Sequence, residues 1–310
     1  MRNAFARAMT ALAREDERIV LLSGDIGNRM FDEFKGLFPD RFYNCGVAEA
    51  GMTGVAAGLA LSGLRPVTYT IAPFNTYRCL EQIRLDLCYQ NLPVVVAGVG
   101  GGLAYANLGA THHSCEDIAC LRALPNMTVL CPGDALEVGV LLAQAVQGPG
   151  PAYLRLGKKN EPLVHPAAPA LRIGEAFVLR EGLDAMLVST GNPLPEAAAA
   201  ADLLAQRGLS AGVASMHTVK PLDVAFLARC FAACRLVVTI EEHGRVGGLG
   251  GAVAEWLADA TLDGVSRARL LRLDTGADFL CACGNQKQAR QHCGLDAPSM
   301  AEAVAQRLMS

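Results

Sequence analysis

Glu49 is the residue of this chain best placed to do chemistry. It stands in the run GVAEAG, directly after a glycine-containing loop and at the start of a helical segment. Its neighbours Val47, Ala48, Ala50 and Met52 are uncharged and small or apolar. Two roles suit such a carboxyl. It can complement the positive end of the helix dipole, or, desolvated, it can hold and pass a proton near neutral pH. Residue types alone leave both open. Phe74 and Tyr77 lie in TIAPFNTYR, where aromatic rings serve either core packing or a stack on a planar ligand. His112, in GATHHS, is either a polar surface residue or a proton-transfer group working near physiological pH. Its neighbour His113 is expected to point elsewhere. Arg2, Arg29 and Lys158 serve either as solvated charge or as grips on an anion.

Such groups need a scaffold. Residues 1–14 read as an amphipathic helix with Phe5, Met9 and Leu12 on one face. Apolar runs at 19–22, 66–71, 93–99 and 128–130 read as buried strands, with helices at 48–61, 76–89 and 135–146. The stretch NEPLVHPAAPALRIGEA, residues 160–176, has three prolines and little periodicity, which marks a domain boundary. A second alternating series follows, with strands at 185–189, 212–215 and 236–241 and helices at 194–207 and 251–258. Strands that are apolar throughout imply a parallel sheet covered on both faces. The fold class is therefore α/β, with two parallel-sheet domains in tandem: 1–162, a linker at 163–176, and 177–310.

Composition narrows the function. The chain has 310 residues, 52% apolar and only 18% charged, and a net charge of −3 without a basic stripe. Neither nucleic acid nor an anionic membrane surface is an expected partner. Low charge and a mean hydropathy of +0.27 suggest apolar surface covered by another subunit. The first residues are charged throughout, without the apolar core of a signal peptide. No run approaches the roughly 18 apolar residues of a membrane span. Eleven cysteines lie mostly within apolar segments, Cys79 and Cys88 among them. They read as buried thiols of a cytoplasmic protein.

The segment FPDRFYNCGVAEAGMTGVAAGLA resembles the signature of the pyrimidine-binding domain of transketolases and deoxyxylulose-phosphate synthases. The similarity continues through TIAPFNTYRCLEQIRLDLCYQNLPV, GATHHSCEDIACLRALPNMTVLCPGD, MHTVKPLD and EEHGRVGGLGGAVAE, in the family's order over nearly the whole chain. The resemblance implies a thiamine-diphosphate pyrimidine-binding fold followed by a transketolase C-terminal domain. It implies a two-carbon ketol transfer from a ketose donor to an aldose or modified-sugar acceptor. Glu49 would then hydrogen-bond a ring nitrogen of the cofactor's aminopyrimidine and activate the cofactor. Phe74 would stack on that ring, with Tyr77 and Ile71 completing the pocket and Asp25 among the cofactor contacts. His112 falls on the family's GPTH motif, whose histidine faces the reacting carbonyl. Arg2, Arg29 and Lys158 fall at or near sugar-phosphate contacts, Lys158 in place of an arginine.

Two departures from the family carry expectations of their own. The domain with the GDG motif, which holds Mg2+ and the diphosphate, has no counterpart: the GDI at Gly24 and the GDA at Gly133 lack the third glycine. A separate subunit is expected to supply that domain and the magnesium ligands, in an α2β2 heterotetramer. Further, Leu108 and Ala110 replace the aspartate and proline of the family's GxDGPTH, and residues 100–102 are glycines where transketolases carry His-Asp-Ser. A wider, less polar pocket and an altered sugar substrate are expected, with Leu108 unable to pair with a hydroxyl. The run VGGLGG lacks the spacing of a dinucleotide fingerprint. Cys281, Cys283, His292 and Cys293 suggest zinc, but they occupy an ordinary loop and helix of the family, and no metal ligand is assigned. Two other readings compete: a synthase or acyl-transfer subunit using pyruvate, and a non-catalytic scaffold.

Overall fold

The structure, a computed structural model, describes residues 1–27, 29–260, 268–281 and 284–310. The first half of the chain forms strands β1 (Ile19–Ser23), β2 (Phe42–Asn44), β3 (Arg65–Ile71), β4 (Val95–Val99), β5 (Thr128–Leu130) and β6 (Ala152–Leu156). The second half forms β7 (Phe177–Arg180), β8 (Ala185–Ser189), β9 (Ala211–Ser215), β10 (Thr218–Lys220), β11 (Leu236–Ile240) and β12 (Arg269–Leu273). The sheet orders are β10-β5-β6-β4-β3-β1-β2 and β12-β11-β8-β9-β7. Both are mostly parallel, as the apolar runs imply, and each adds one antiparallel edge: β10 on β5, and β7 on β9. β10 belongs to the second half of the chain yet completes the first sheet. Three residues ahead of Pro221 are too short a run to read as a strand.

Alternate residues of each central strand enter different cores. Leu21, Val67, Tyr69, Ala97 and Leu154 pack with helices Arg2–Glu15 and Ala135–Gln147. Val20, Leu22, Val96 and Tyr153 face the other way, onto helix Glu49–Leu61 and the π-helical turn Ile83–Tyr89. Burying a Leu, Val or Ile side chain contributes about 1.5–3 kcal/mol, which favours covering both faces; the strands also bury a few polar side chains, Thr70 and Arg155 among them. The helix expected at 76–89 starts earlier and changes winding. It runs as Ala72–Thr76, a 3-10 turn Tyr77–Cys79, Leu80–Gln82, and then the π turn.

No strand or helix forms between Leu156 and Phe177, but that segment is tied down. Asp134 Oδ2 accepts from the backbone of Val164 and His165, and Gln144 clamps Leu171 and Ile173. His165 Nε2 lies 2.8 Å from Glu137 Oε1. Burial works against charge on His165, and the Glu137 contact overrides it, so its pKa is raised.

A buried polar network joins the two halves. Arg155 donates to Asp117 at 2.8 Å and, through Nη2, to the carbonyls of Ser114 and Glu242. The Glu242 carboxylate accepts from the Leu103 N–H at 2.9 Å. Burial pushes the His243 imidazole down to about 4, leaving Nε2 as a neutral acceptor for the Ala119 N–H. Burial alone would raise the Asp117 carboxyl; Arg155 overrides it and holds it below the usual range. That pair therefore stabilises the fold above the unfolded carboxyl pKa of about 4 and loses its contribution as pH falls below it. Arg155→Met, which leaves Asp117 buried and unpaired, is expected to lower unfolding free energy by about 3–5 kcal/mol at neutral pH. Urea unfolding at neutral and acid pH checks this: the difference from wild type should narrow in acid.

Candidate active site

The site is built on neighbouring strand ends. Gly24 follows β1, Phe74 follows β3, residues 100–112 follow β4, and Lys158 follows β6. In the sheet these strands stand in the order β6-β4-β3-β1, all parallel. Ligands of open α/β sheets bind at such carboxyl ends. Each helix returns antiparallel to the strands, so the helix starts at Arg2 and Glu49 reach the same edge.

Glu49 is 1% exposed and is the first residue of helix Glu49–Leu61, whose N-cap Ala48 offers no side-chain cap. Its Oε2 accepts from Arg78 Nη1 at 2.7 Å. A carboxyl in that position could simply face the helix dipole; instead it is paired with a cation from another element. Arg78 also lies over the Phe74 ring, 4.5 Å from its centroid. The backbone at Gly24 closes one side: a Cβ there would stand 3.0 Å from Thr70 and 3.4 Å from Glu49 Cγ. Thr70 Oγ1 is buried in this cradle without a hydrogen-bond partner. A buried carboxyl, an aromatic face and an unpaired hydroxyl suit a planar heteroaromatic ring bearing nitrogens.

A row of rings runs on from Phe74. His112 is edge-on to Phe74 at 5.3 Å and to Tyr105 at 6.1 Å. Lys158 Nζ lies 4.5 Å from the Tyr105 centroid. Thr111 Oγ1 and His112 Nδ1 are 2.9 Å apart. Burial and the nearby His113 both lower the His112 pKa, which keeps the imidazole neutral at pH 7. His113 turns away, its Nε2 3.0 Å from the Ala106 carbonyl. Arg2 places a charge near Tyr105 that opposes the effect of burial on the phenol, and Arg2 Nε is itself buried without a partner.

The structure thus brings Glu49, Phe74, His112, Arg2 and Lys158 to one edge. Ile71 ends β3 half-buried against the first core. Tyr77 is tied by its hydroxyl to Glu116, donating to Oε2 at 3.0 Å and accepting from the backbone N–H at 3.1 Å. Asp25, Arg29 and Leu108 are exposed. Among the described residues no side-chain hydrogen bond, ion pair or ring contact joins these three to the row. Asp25 instead accepts from Asn44 at 2.9 Å. Leu108 is 47% exposed on the turn Ala106–Leu108.

One expectation is corrected. Glycines at 100–102 do not widen the pocket, because other side chains occupy the space. A Cβ on Gly100 would lie 2.0 Å from the Tyr105 ring, one on Gly101 2.7 Å from Arg155, and one on Gly102 2.5 Å from Glu242. Sequence reasoning missed Arg78 and Tyr105. Arg78 stands four residues after Phe74, one helical turn on, and Tyr105 is the one aromatic among residues 99–111. Among the described residues no group of three or more His, Cys, Asp or Glu could hold a metal ion, and Cys283 of the cysteine cluster lies outside them. No described helix is long and apolar enough to cross a membrane.

Comparison with known proteins agrees with this geometry. Residues 1–162 match the transketolase pyrimidine-binding domain and residues 174–300 the transketolase C-terminal domain. The chain is 35% identical over 297 residues to a subunit of the apulose-4-phosphate transketolase of Phocaeicola vulgatus, covering 95% of this chain and 93% of that protein. It is 35% identical over 260 residues to a 6-deoxy-6-sulfo-D-fructose transketolase subunit of Clostridium sp., covering 84% and 81%. A split-gene transketolase solved as an inactive β4 tetramer superposes with a TM-score of 0.89 at 34% identity, covering 99% and 98%. Fold and site define an α/β protein with a pyrimidine-binding unit ahead of a C-terminal domain. The chain belongs to the transketolase family, which implies dependence on thiamine diphosphate.

The Arg78–Glu49 contact is testable without cofactor. Arg78→Met leaves a buried carboxylate unpaired and is expected to cost about 1–2 kcal/mol of stability. Adding Glu49→Gln should recover most of it. A double-mutant cycle by chemical unfolding measures the coupling, which is absent if the pair is incidental.

Proposed function

We propose that this chain is the pyrimidine-binding subunit of a split, thiamine-diphosphate-dependent transketolase. In this reading it transfers a two-carbon ketol unit from a ketose to an aldose or modified sugar. The carrying observation is the buried Glu49 carboxyl, bridged by Arg78 to Phe74 and continued by the ring of His112 at one sheet edge. When bound, thiamine diphosphate supplies the nucleophilic carbon that takes up the two-carbon unit.

Each residue has a separate task. Arg78 engages Glu49 Oε2, and Oε1 carries no hydrogen bond among the described residues, so Oε1 is the atom that exchanges a proton with the pyrimidine. Phe74 offers its ring to that heterocycle, with Ile71 and Tyr77 flanking. His112, held neutral by burial, accepts or donates a hydrogen bond at the substrate carbonyl and moves a proton there. Arg2 and Lys158 take an anionic end of the sugar, Lys158 as a point charge rather than a fork. Asp25 is assigned to the cofactor and Arg29 and Leu108 to the substrate, all three from exposed positions.

A second subunit supplies the diphosphate-binding domain and the ligands for Mg2+, in an α2β2 assembly. Support comes from the relatives that are themselves subunits and from the neighbour described as inactive in its β4 form. Ten described cysteines are free, which suits the reducing cytoplasm.

Glu49→Gln removes the exchangeable proton and keeps the shape. In the assembled enzyme it is expected to abolish turnover while circular dichroism and subunit co-elution stay as in wild type. Turnover at the wild-type rate would remove the mechanism. Release of an aldose from the donor is expected; release of carbon dioxide from pyruvate would point to the synthase reading.

A further inference from the structure

Tyr105 is unassigned by the reading above, and several observations single it out. Its ring fills the space beside Gly100, where a Cβ would stand 2.0 and 2.2 Å from two ring carbons. Gly100 also has φ +83°, a left-handed backbone that side chains rarely adopt. Position 100 therefore has to be glycine for the ring to lie where it does. The ring stands between His112, at 6.1 Å, and Lys158 Nζ, at 4.5 Å. Its hydroxyl has no hydrogen-bond partner among the described residues, and burial raises its pKa, so it remains a neutral donor and acceptor. The loop is fixed at its neck, where Gly102 and Ser114 exchange backbone hydrogen bonds of 2.9 and 3.0 Å. Arg155 and Glu242 hold that neck from beneath.

Of the spaces beside the three glycines, the one at Gly100 is thus taken by an aromatic face arriving from five residues further on, and those at Gly101 and Gly102 by Arg155 and Glu242. Arg155 and Glu242 are engaged in the buried network, whereas the Tyr105 ring can pack against C–H surface and offers a single hydroxyl. We propose that Tyr105 is the specificity-determining residue of this site. Its ring packs on the carbon chain of an anionic sugar between the carbonyl at His112 and the anionic end at Lys158, and it selects substrates with few hydroxyls there. This rests on the ketol-transfer reading and names the substrate class it acts on.

The test uses the enzyme assembled with its partner subunit. The probes are two ketose phosphates that differ by one hydroxyl between the cleaved bond and the phosphate. Wild type is expected to prefer the deoxy sugar. Tyr105→Ala should raise KM for that sugar about tenfold and erase the preference, with kcat changed less than KM. Gly100→Ala, which displaces the ring without altering it, should act in the same direction. Tyr105→Phe keeps the packing and should change the ratio of kcat/KM values less. A ratio within about twofold of wild type in both Tyr105→Ala and Gly100→Ala overturns the proposal. So does an equal loss of kcat on both sugars at constant KM, which would make Tyr105 a support for His112. Either result, with Glu49→Gln still inactive, leaves the ketol-transfer reading standing; an active Glu49→Gln enzyme removes that reading itself.

Discussion

The parallel sheet is the constraint on which everything else depends. Two neighbouring strands that run the same way must be joined by a chain that crosses back over the sheet. Every loop after a strand then falls on one edge, and every returning helix starts there. Gly24, Phe74, His112 and Lys158 come from four separate segments and meet because β1, β3, β4 and β6 are parallel neighbours. The same topology brings Glu49 in at the start of its helix, inside the covered region rather than on a free surface. A desolvated carboxyl needs a partner, and Arg78 provides it at 2.7 Å.

The loop after β4 shows how exchanged volumes, rather than added or removed ones, shape the site. Three glycines in a row suggest open space, yet Tyr105, Arg155 and Glu242 each stand where one Cβ would be. Two of these side chains belong to the network that joins the halves of the chain. The second domain therefore reaches the site without lining it. Glu242 pins Leu103, and Arg155 fixes Ser114, so the loop with Tyr105 and His112 is held at both ends.

Much of this was legible in the sequence because apolar runs and glycine-flanked carboxyls are local signals. The strands at 19–22, 66–71 and 236–241 and the helix bearing Glu49 follow from residue type and period. β10 was not legible, since Thr218–Lys220 becomes a strand only by meeting β5 across the domain boundary. The winding change from Ala72 to Tyr89 was hidden because it depends on packing rather than period. At the site, Glu49, Phe74 and His112 could be named from motifs. Arg78 and Tyr105 could not, because their importance lies in contacts with residues 29 and five positions away and not in any motif.

The central claim is that this chain holds half of a cofactor site and needs a second subunit for the other half. Calorimetric titration of thiamine diphosphate with Mg2+ tests it most directly, first on this chain alone and then on its complex with a diphosphate-binding subunit. The account predicts binding by the complex only, with both proteins co-eluting. Tight, magnesium-dependent binding by this chain alone would contradict it.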